Sequence, residues 1–150
     1  MKIRSSSNNN LDGVYDTVKS MVQYEYDQHN TKGSPYLGVV KGIWILRGTN
    51  LIVAFIRQLL LESDPDSDPD STADPGSASC FTTAYFATLA QHHPVALQQT
   101  VRLGSNFLPS RKSCLEDIGD PEMAKKVADF GDRIAEFMKR IYEEKNLYDM

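Results

Sequence analysis

The 150-residue sequence has few cysteines, no cluster of basic residues and no secretory signal pattern. Its two cysteines, Cys80 and Cys114, are too few for a disulfide scaffold and lack the paired spacing of a metal site. A net charge of -4 without any run of Lys and Arg argues against nucleic acid as a partner. The opening "MKIRSSSNNN" has no apolar segment behind its charged start. We therefore expect a reduced, cytosolic protein.

Motifs of enzymes and of metal or cofactor sites are also missing. There is no G-x-S-x-G elbow and no glycine loop for phosphate. His92 and His93 are adjacent, so their rings point to different sides of a helix and cannot form an i, i+4 zinc pair. The alternating aspartates from Asp64 to Asp70 resemble a calcium loop, but Pro69 stands where that loop needs glycine. We expect no catalytic site, no metal and no cofactor.

The remaining patterns are helical, and no segment of useful length has the period of a strand. Apolar spacing and proline positions predict helices at 11–28, at 34–63, at 81–93 up to Pro94, at 95–108, at 110–118, and from Asp120-Pro121 onward. Between them, residues 62–79 are rich in Asp, Pro and Ser and predict a disordered acidic loop. The sequence predicts an all-α protein, with residues 1–150 forming a single domain.

The helix predicted at 34–63 carries the most unusual pattern. Ser34 and Pro35 suit its first positions, and "LIVAFI" is apolar on every side. Arg47 and other polar residues interrupt the window of about twenty apolar residues that a membrane span needs, so we expect a mostly buried central helix. At 100° per residue, one polar and aromatic stripe contains Trp44, Arg47, Asn50, Arg57 and Gln58.

Taken singly, His93 and Trp44 are more often core residues than ligand contacts, because buried polar groups are usually paired within the protein. Considered together with Arg47, these residues favour a ligand site. Trp44 and Arg47 share one face of an apolar helix, and a His-Pro junction lies in another helix, without any enzyme motif. Such a set suits a lipid, with polar groups for the head and apolar walls for the chains.

Four segments carry a resemblance to a known family: "IWILRG" at 43–48, "YFATLAQHHPV" at 85–95, "LPSRKSCLE" at 108–116, and the closing "YEEKNLYDM". From about residue 11 onward the chain resembles the glycolipid transfer protein family. The resemblance implies two layers of helices around a sphingolipid, and a cytosolic carrier that moves this lipid between membranes without enzymatic turnover. The expected partners are the lipid and, transiently, membrane surfaces.

The resemblance also assigns residues. It implies that Trp44 lies under a sugar head group, that Arg47 is the arginine most members share, and that His93 hydrogen-bonds the amide region of a ceramide. Lys41 is an additional candidate for the head group, and the apolar pocket is expected to include Ile43, Phe55 and Leu89.

Some features depart from the family pattern. "HHP" and "LPSR" resemble the branch that carries ceramide-1-phosphate, whereas Trp44 resembles the glycolipid branch, so the head group stays open between the two. Val95 stands where relatives commonly have a membrane-inserting tryptophan. Relatives also have two helices ahead of residue 11, with an Asp-x-x-x-Lys head-group motif that has no counterpart here. We therefore expect a shortened member with uncovered apolar surface; the alternative is an interaction module that no longer transfers lipid.

Overall fold

A computed structural model describes residues 13–61 and 76–150 of the chain. Within these residues the structure is helical and contains no strand, which confirms the all-α prediction. The six α-helices are α1 (Val18–Lys32), α2 (Leu37–Leu60), α3 (Ser77–Thr88), α4 (Val95–Gly104), α5 (Arg111–Ile118) and α6 (Pro121–Glu143). Short 3₁₀ turns, Ala90–His92 and Ser105–Phe107, follow α3 and α4.

Local side chains set the limits of α1. Thr17 and Ser20 form a capping box, in which each side chain accepts a hydrogen bond from the other residue's backbone N–H. The helix ends at Gly33, whose φ of 67° is a left-handed conformation that glycine adopts without strain. The helix predicted at 11–28 therefore starts and ends later, and residues 11 and 12 lie outside the described part.

The start of α2 is capped by a residue far away in sequence. Glu25 of α1 is buried, and its two carboxylate oxygens accept hydrogen bonds from the backbone N–H groups of Gly38 and Val39, at 2.7 and 2.9 Å. A carboxylate at a helix N-terminus satisfies free N–H groups and the helix dipole together. The prediction that Ser34 and Pro35 begin this helix is therefore wrong, because α2 begins at Leu37 under a cap from another helix.

The prediction of a mostly buried α2 is wrong for one side of the helix. By length and composition α2 could cross a membrane, because its most apolar 18-residue window has a mean hydropathy of 1.6. Only 39% of that window is buried in the protein. Val39, Leu46 and Leu59 are enclosed, whereas Ile45 and Ile52 are more than half exposed. One apolar side of α2 is therefore not enclosed by any described residue.

Prolines and a glycine set the later helix boundaries. Pro94 separates α3 from α4, as predicted, and α4 then continues into the 3₁₀ turn before Pro109. The loop predicted at 62–79 falls mainly on residues outside the described part. Its last residues, 77–79, are helical, because α3 begins directly after Gly76 and the Ser77 hydroxyl donates to the Pro109 carbonyl.

The chain divides into two compact units, residues 1–43 with 138–150, and residues 44–137. In the second unit, α2 and α6 pack through small side chains. Val53 and Ile56 of α2 form one buried cluster with Ala124 and Ala128 of α6. A methyl group on Gly131 would overlap Val53, so this glycine lets the two helices approach closely.

A similar close approach occurs inside the first unit. Gly42 of α2 faces the hydroxyl of Tyr142, which is completely buried and has no hydrogen-bond partner among the described residues. Burial, and then the charge of Glu25, raises the pKa of Tyr142, so its phenol stays protonated at neutral pH. The small size of residue 42 is therefore a packing requirement.

We expect Gly42→Ala to lower the free energy of unfolding by about 1–3 kcal/mol, because the added methyl group overlaps the Tyr142 hydroxyl. Tyr142→Phe alone should cost little, since it removes a buried hydroxyl without a partner among the described residues. The double variant should recover most of the free energy of unfolding that Gly42→Ala loses. Urea unfolding of all four proteins measures this coupling, and simple addition of the two single effects would contradict it.

Candidate functional site

Two residues of the predicted stripe on α2 contact each other. Trp44 and Arg47 are three residues apart, so their side chains share one face of the helix. The Arg47 guanidinium carbon lies over the indole ring, 5.2 Å from its centroid. Arg47 is only 8% exposed, whereas Trp44 is 42% exposed. The electron-rich ring face attracts the guanidinium, and the indole remains partly exposed.

His93 reaches this pair from the junction between α3 and α4. Pro94 favours an extended conformation in the residue before it, and His93 has φ -114° and ψ 141°. The Gln98 side chain fixes this break by donating to the carbonyl oxygens of Ala90 and His93, both at 2.9 Å. The His93 ring consequently stacks on Trp44, with centroids 5.6 Å apart and planes 20° apart.

Tyr85 holds the histidine from behind. Its hydroxyl oxygen lies 2.7 Å from Nδ1 of His93, and the residue is 1% exposed. Burial raises the pKa of Tyr85, so the phenol keeps its proton. When this phenol donates to Nδ1, the imidazole carries its hydrogen on Nε2, which then acts as a donor. The contact thus orients the ring of His93 and leaves Nε2 as the ring nitrogen that is not bonded to Tyr85.

A chain of aromatic rings continues from Tyr85 to Phe55. Phe81 lies one helical turn before Tyr85, with ring centroids 6.4 Å apart, and meets Phe55 of α2 edge to face at 5.5 Å. Phe55, predicted for an apolar pocket, is therefore linked through rings to His93 and Trp44. The sequence analysis missed Phe81 and Tyr85. Their spacing of four residues on one helix was the available signal, but nothing local links Tyr85 to His93.

The other predicted residues have different settings. Leu89 caps the end of α3 and is half-buried. Lys41 is exposed and Ile43 is buried, and both belong to the first unit. The structure thus brings together Trp44, Arg47 and His93, and connects Phe55 to them. The ligand roles of all these residues stay predictions.

The two cysteines and the acidic residues form no alternative site in the described part of the chain. No group of three or more His, Cys, Asp or Glu side chains in residues 13–61 and 76–150 could hold a metal ion. Cys80 is buried, with its sulfur 3.6 Å from the Gln58 carbonyl oxygen, and Cys114 is partly buried. Both are reduced thiols that lie in helices.

A separate open cavity of about 720 Å³ lies between α3 and the end of α4. It is lined by Gly76, Ala78, Ser79, Thr82, Gln99, Arg102, Leu103, Ser105 and Asn106. None of the residues predicted from the sequence lies in this lining. The candidate functional site is therefore the cluster of Trp44, Arg47 and His93, supported by Tyr85.

Comparisons with known proteins agree with the helical fold. The family model of the glycolipid transfer protein matches residues 1–120. A crystal structure of mouse ceramide-1-phosphate transfer protein, in its apo form, aligns with a TM-score of 0.75 and 25% identity, over 98% of this chain and 70% of that chain. No curated protein sequence matches significantly.

Two structures of the human ceramide-1-phosphate transfer protein share the fold. The complex with 12:0 ceramide-1-phosphate gives a TM-score of 0.73 at 22% identity, over 94% of this chain and 71% of that chain. The complex with the 2:0 lipid gives 0.70 at 19% identity, over 93% and 72%. Since the family model covers most of the sequence and the helical fold agrees with these structures, the chain belongs to the glycolipid transfer protein family.

Proposed function

We propose that the protein is a non-enzymatic carrier that moves a ceramide-based lipid between membranes, and that Trp44, Arg47 and His93 bind its head-group region. Family membership supports sphingolipid transfer in general, and the human structural neighbour is described in complex with ceramide-1-phosphate. The observation that carries the proposal for this chain is the contact of a nearly buried arginine and a histidine with one partly exposed tryptophan.

Each member of the cluster offers a different kind of contact. The Arg47 guanidinium has five N–H donors for charge-assisted hydrogen bonds to phosphate or sugar oxygens. Trp44 offers the exposed part of its indole for contact with a sugar, and Nε2 of His93 offers one hydrogen bond to a ceramide amide. A phosphate head would use mainly Arg47, whereas a sugar head would use mainly Trp44. Both head groups therefore belong to the proposal, and transfer assays distinguish them.

The hydrocarbon chains need an apolar path, which we assign to Phe55 and Leu89. Exposing lipid chains to water costs about 0.8 kcal/mol for each methylene, so a carrier lowers the barrier to transfer by keeping them dry. Moving the chains from a bilayer to a protein pocket exchanges one apolar environment for another and yields little net free energy. Contacts with the head-group region must therefore decide which lipid is carried.

Transient contact with a membrane surface is part of this function. Three apolar side chains around α4 and the turn after it are largely exposed: Val95 at 69%, Leu103 at 68% and Phe107 at 90%. Such side chains, near the break that positions His93, suit shallow insertion at a bilayer interface. A peripheral role in the cytosol follows from the proposed function.

An interaction module without transfer activity is the second candidate. The observation that favours it is the exposed apolar side of α2, which includes Ile45 and Ile52. This reading predicts a folded chain that moves no lipid, so the same transfer assay separates the two functions.

We expect Arg47→Ala to reduce transfer of the carried lipid by about tenfold or more, because it removes charge-assisted hydrogen bonds worth about 1.5–3 kcal/mol. The assay follows fluorescent ceramide-1-phosphate and fluorescent galactosylceramide between vesicles in parallel. Lys112→Ala is the matched control, since this exposed cation on α5 lies outside the cluster. Equal loss in both variants, or no transfer by a folded wild-type chain, would contradict the carrier function.

Tyr85→Phe should weaken transfer by less than Arg47→Ala, because it removes only the hydrogen bond that orients His93. We expect the variant to lose about 1 kcal/mol of stability. It should also shift the nitrogen resonances of His93, which report the imidazole tautomer by NMR. Unchanged His93 nitrogen resonances in a folded variant would show that Tyr85 does not orient the ring.

A further inference from the structure

The final helix has an apolar stripe that the protein leaves uncovered. Along α6, apolar residues alternate steps of four and three: Met123, Val127, Phe130, Ile134 and Phe137. These five are between 38% and 61% exposed, whereas the neighbouring face with Ala124 and Ala128 is buried against α2. Steps of four and three are the a and d spacing of a heptad seam, which normally packs against another helix.

Exposed residues of α2 lie beside this stripe. The two helices are antiparallel, because Val53 meets Gly131 while Leu60, further along α2, packs in the cluster with Ala124. On one edge of the pair, Arg57 hydrogen-bonds Asp129 and Asp132. By helical periodicity, Ile45 and Ile52 lie on α2 about a quarter turn from the line along which the two helices touch. The stripe on α6 lies about a quarter turn from the same line. Both sets are on the edge of the helix pair opposite Arg57. The two helices thus form an apolar groove, defined by Ile45, Ile52 and the five stripe residues.

The groove has the size of a protein interface. Its seven side chains are on average roughly half exposed, from 38% for Ile134 to 64% for Ile45. At about 200 Å² for a large side chain they present about 700 Å², close to the roughly 800 Å² that each partner buries in a standard complex. The sequences of 1–12 and 62–75 contain no apolar heptad that could fill it.

Charged side chains along the exposed edge of the stripe indicate what the groove binds. Lys126 and Arg133 directly precede the stripe residues Val127 and Ile134, in the flanking position of the heptad, and the Arg133 guanidinium carbon lies 5.8 Å from the Phe130 ring centroid. Flanking charges of a heptad seam select a partner with the opposite sign. The occupant should therefore carry carboxylates beside its own apolar seam.

This arrangement of charges argues against a second copy of the chain as the occupant of the groove. Two antiparallel copies of α6 would bring Lys126 and Arg133 against the same cations of the other copy. Two parallel copies would bring Lys126 against the position of Gly131, which is already packed on α2. A groove between two helices also suits the ridge of a third helix better than the surface of a bilayer.

We propose that the groove between α2 and α6 binds an amphipathic helix of a partner protein, with apolar heptad positions flanked by Glu or Asp. The inference does not rest on lipid transfer, because no groove residue belongs to the cluster of Trp44, Arg47 and His93.

The test uses the full chain and two labelled three-heptad peptides with Leu at a and d, one with Glu and the other with Lys at the flanking positions. Fluorescence anisotropy should show about tenfold tighter binding of the Glu peptide at low salt, from two favourable charge pairs, and a smaller ratio at high salt. Lys126→Glu combined with Arg133→Glu should reverse the preference. Phe130→Ser combined with Phe137→Ser should abolish binding of both peptides.

Leu97→Ser on α4, at a residue 40% exposed outside the groove, is the control and should leave peptide binding unchanged. Equal affinity for the two peptides, or no binding by a folded chain, would overturn the inference. A dimer seen in sedimentation that dissociates in the Phe130→Ser variant would assign the groove to a second copy instead. Binding to phosphatidylserine vesicles that requires Phe130, without peptide binding, would assign it to a lipid surface, and both results overturn the proposal.

Discussion

The apolar length of α2 is the constraint on which the rest of the structure depends. Its 24 residues are apolar enough to span a bilayer, so each of its sides has to meet another element, a ring system or a ligand. Small residues of α6 cover one side, where Gly131 allows Val53 to approach closely. The aromatic chain from Phe55 to Tyr85 covers another. The side with Ile45 and Ile52 stays exposed among the described residues.

The candidate site depends on one interruption in the helical chain. Without Pro94, α3 and α4 could continue as one helix, and His93 would follow the helical direction instead of turning back to Trp44. The break costs backbone hydrogen bonds, which the Gln98 side chain partly replaces. Tyr85 then holds the ring from the buried side. A polar cluster is thus formed where an apolar helix meets the break between α3 and α4.

Sequence periodicity predicted the helices and the pairing of Trp44 with Arg47, because both depend on residues a few positions apart. It could not predict that Glu25 caps α2, since this contact joins two helices across a turn. The same holds for Tyr85 and His93, and for Gly42 facing Tyr142. The apolar stripe of α6 was visible in the sequence, but periodicity does not say whether a stripe meets the core or solvent. Burial settled that the alanine face, rather than the stripe, packs on α2.

Trp44 is the only tryptophan of the chain, so its fluorescence reports directly on the proposed head-group site. The most direct test is acrylamide quenching of Trp44 with and without a saturating short-chain ceramide-1-phosphate or galactosylceramide, with lipid binding confirmed by calorimetry. If the head group lies on Trp44, bound lipid should cover the exposed part of the ring and lower the quenching constant. A lipid that binds stoichiometrically and leaves the quenching unchanged would place the head group elsewhere and contradict the account.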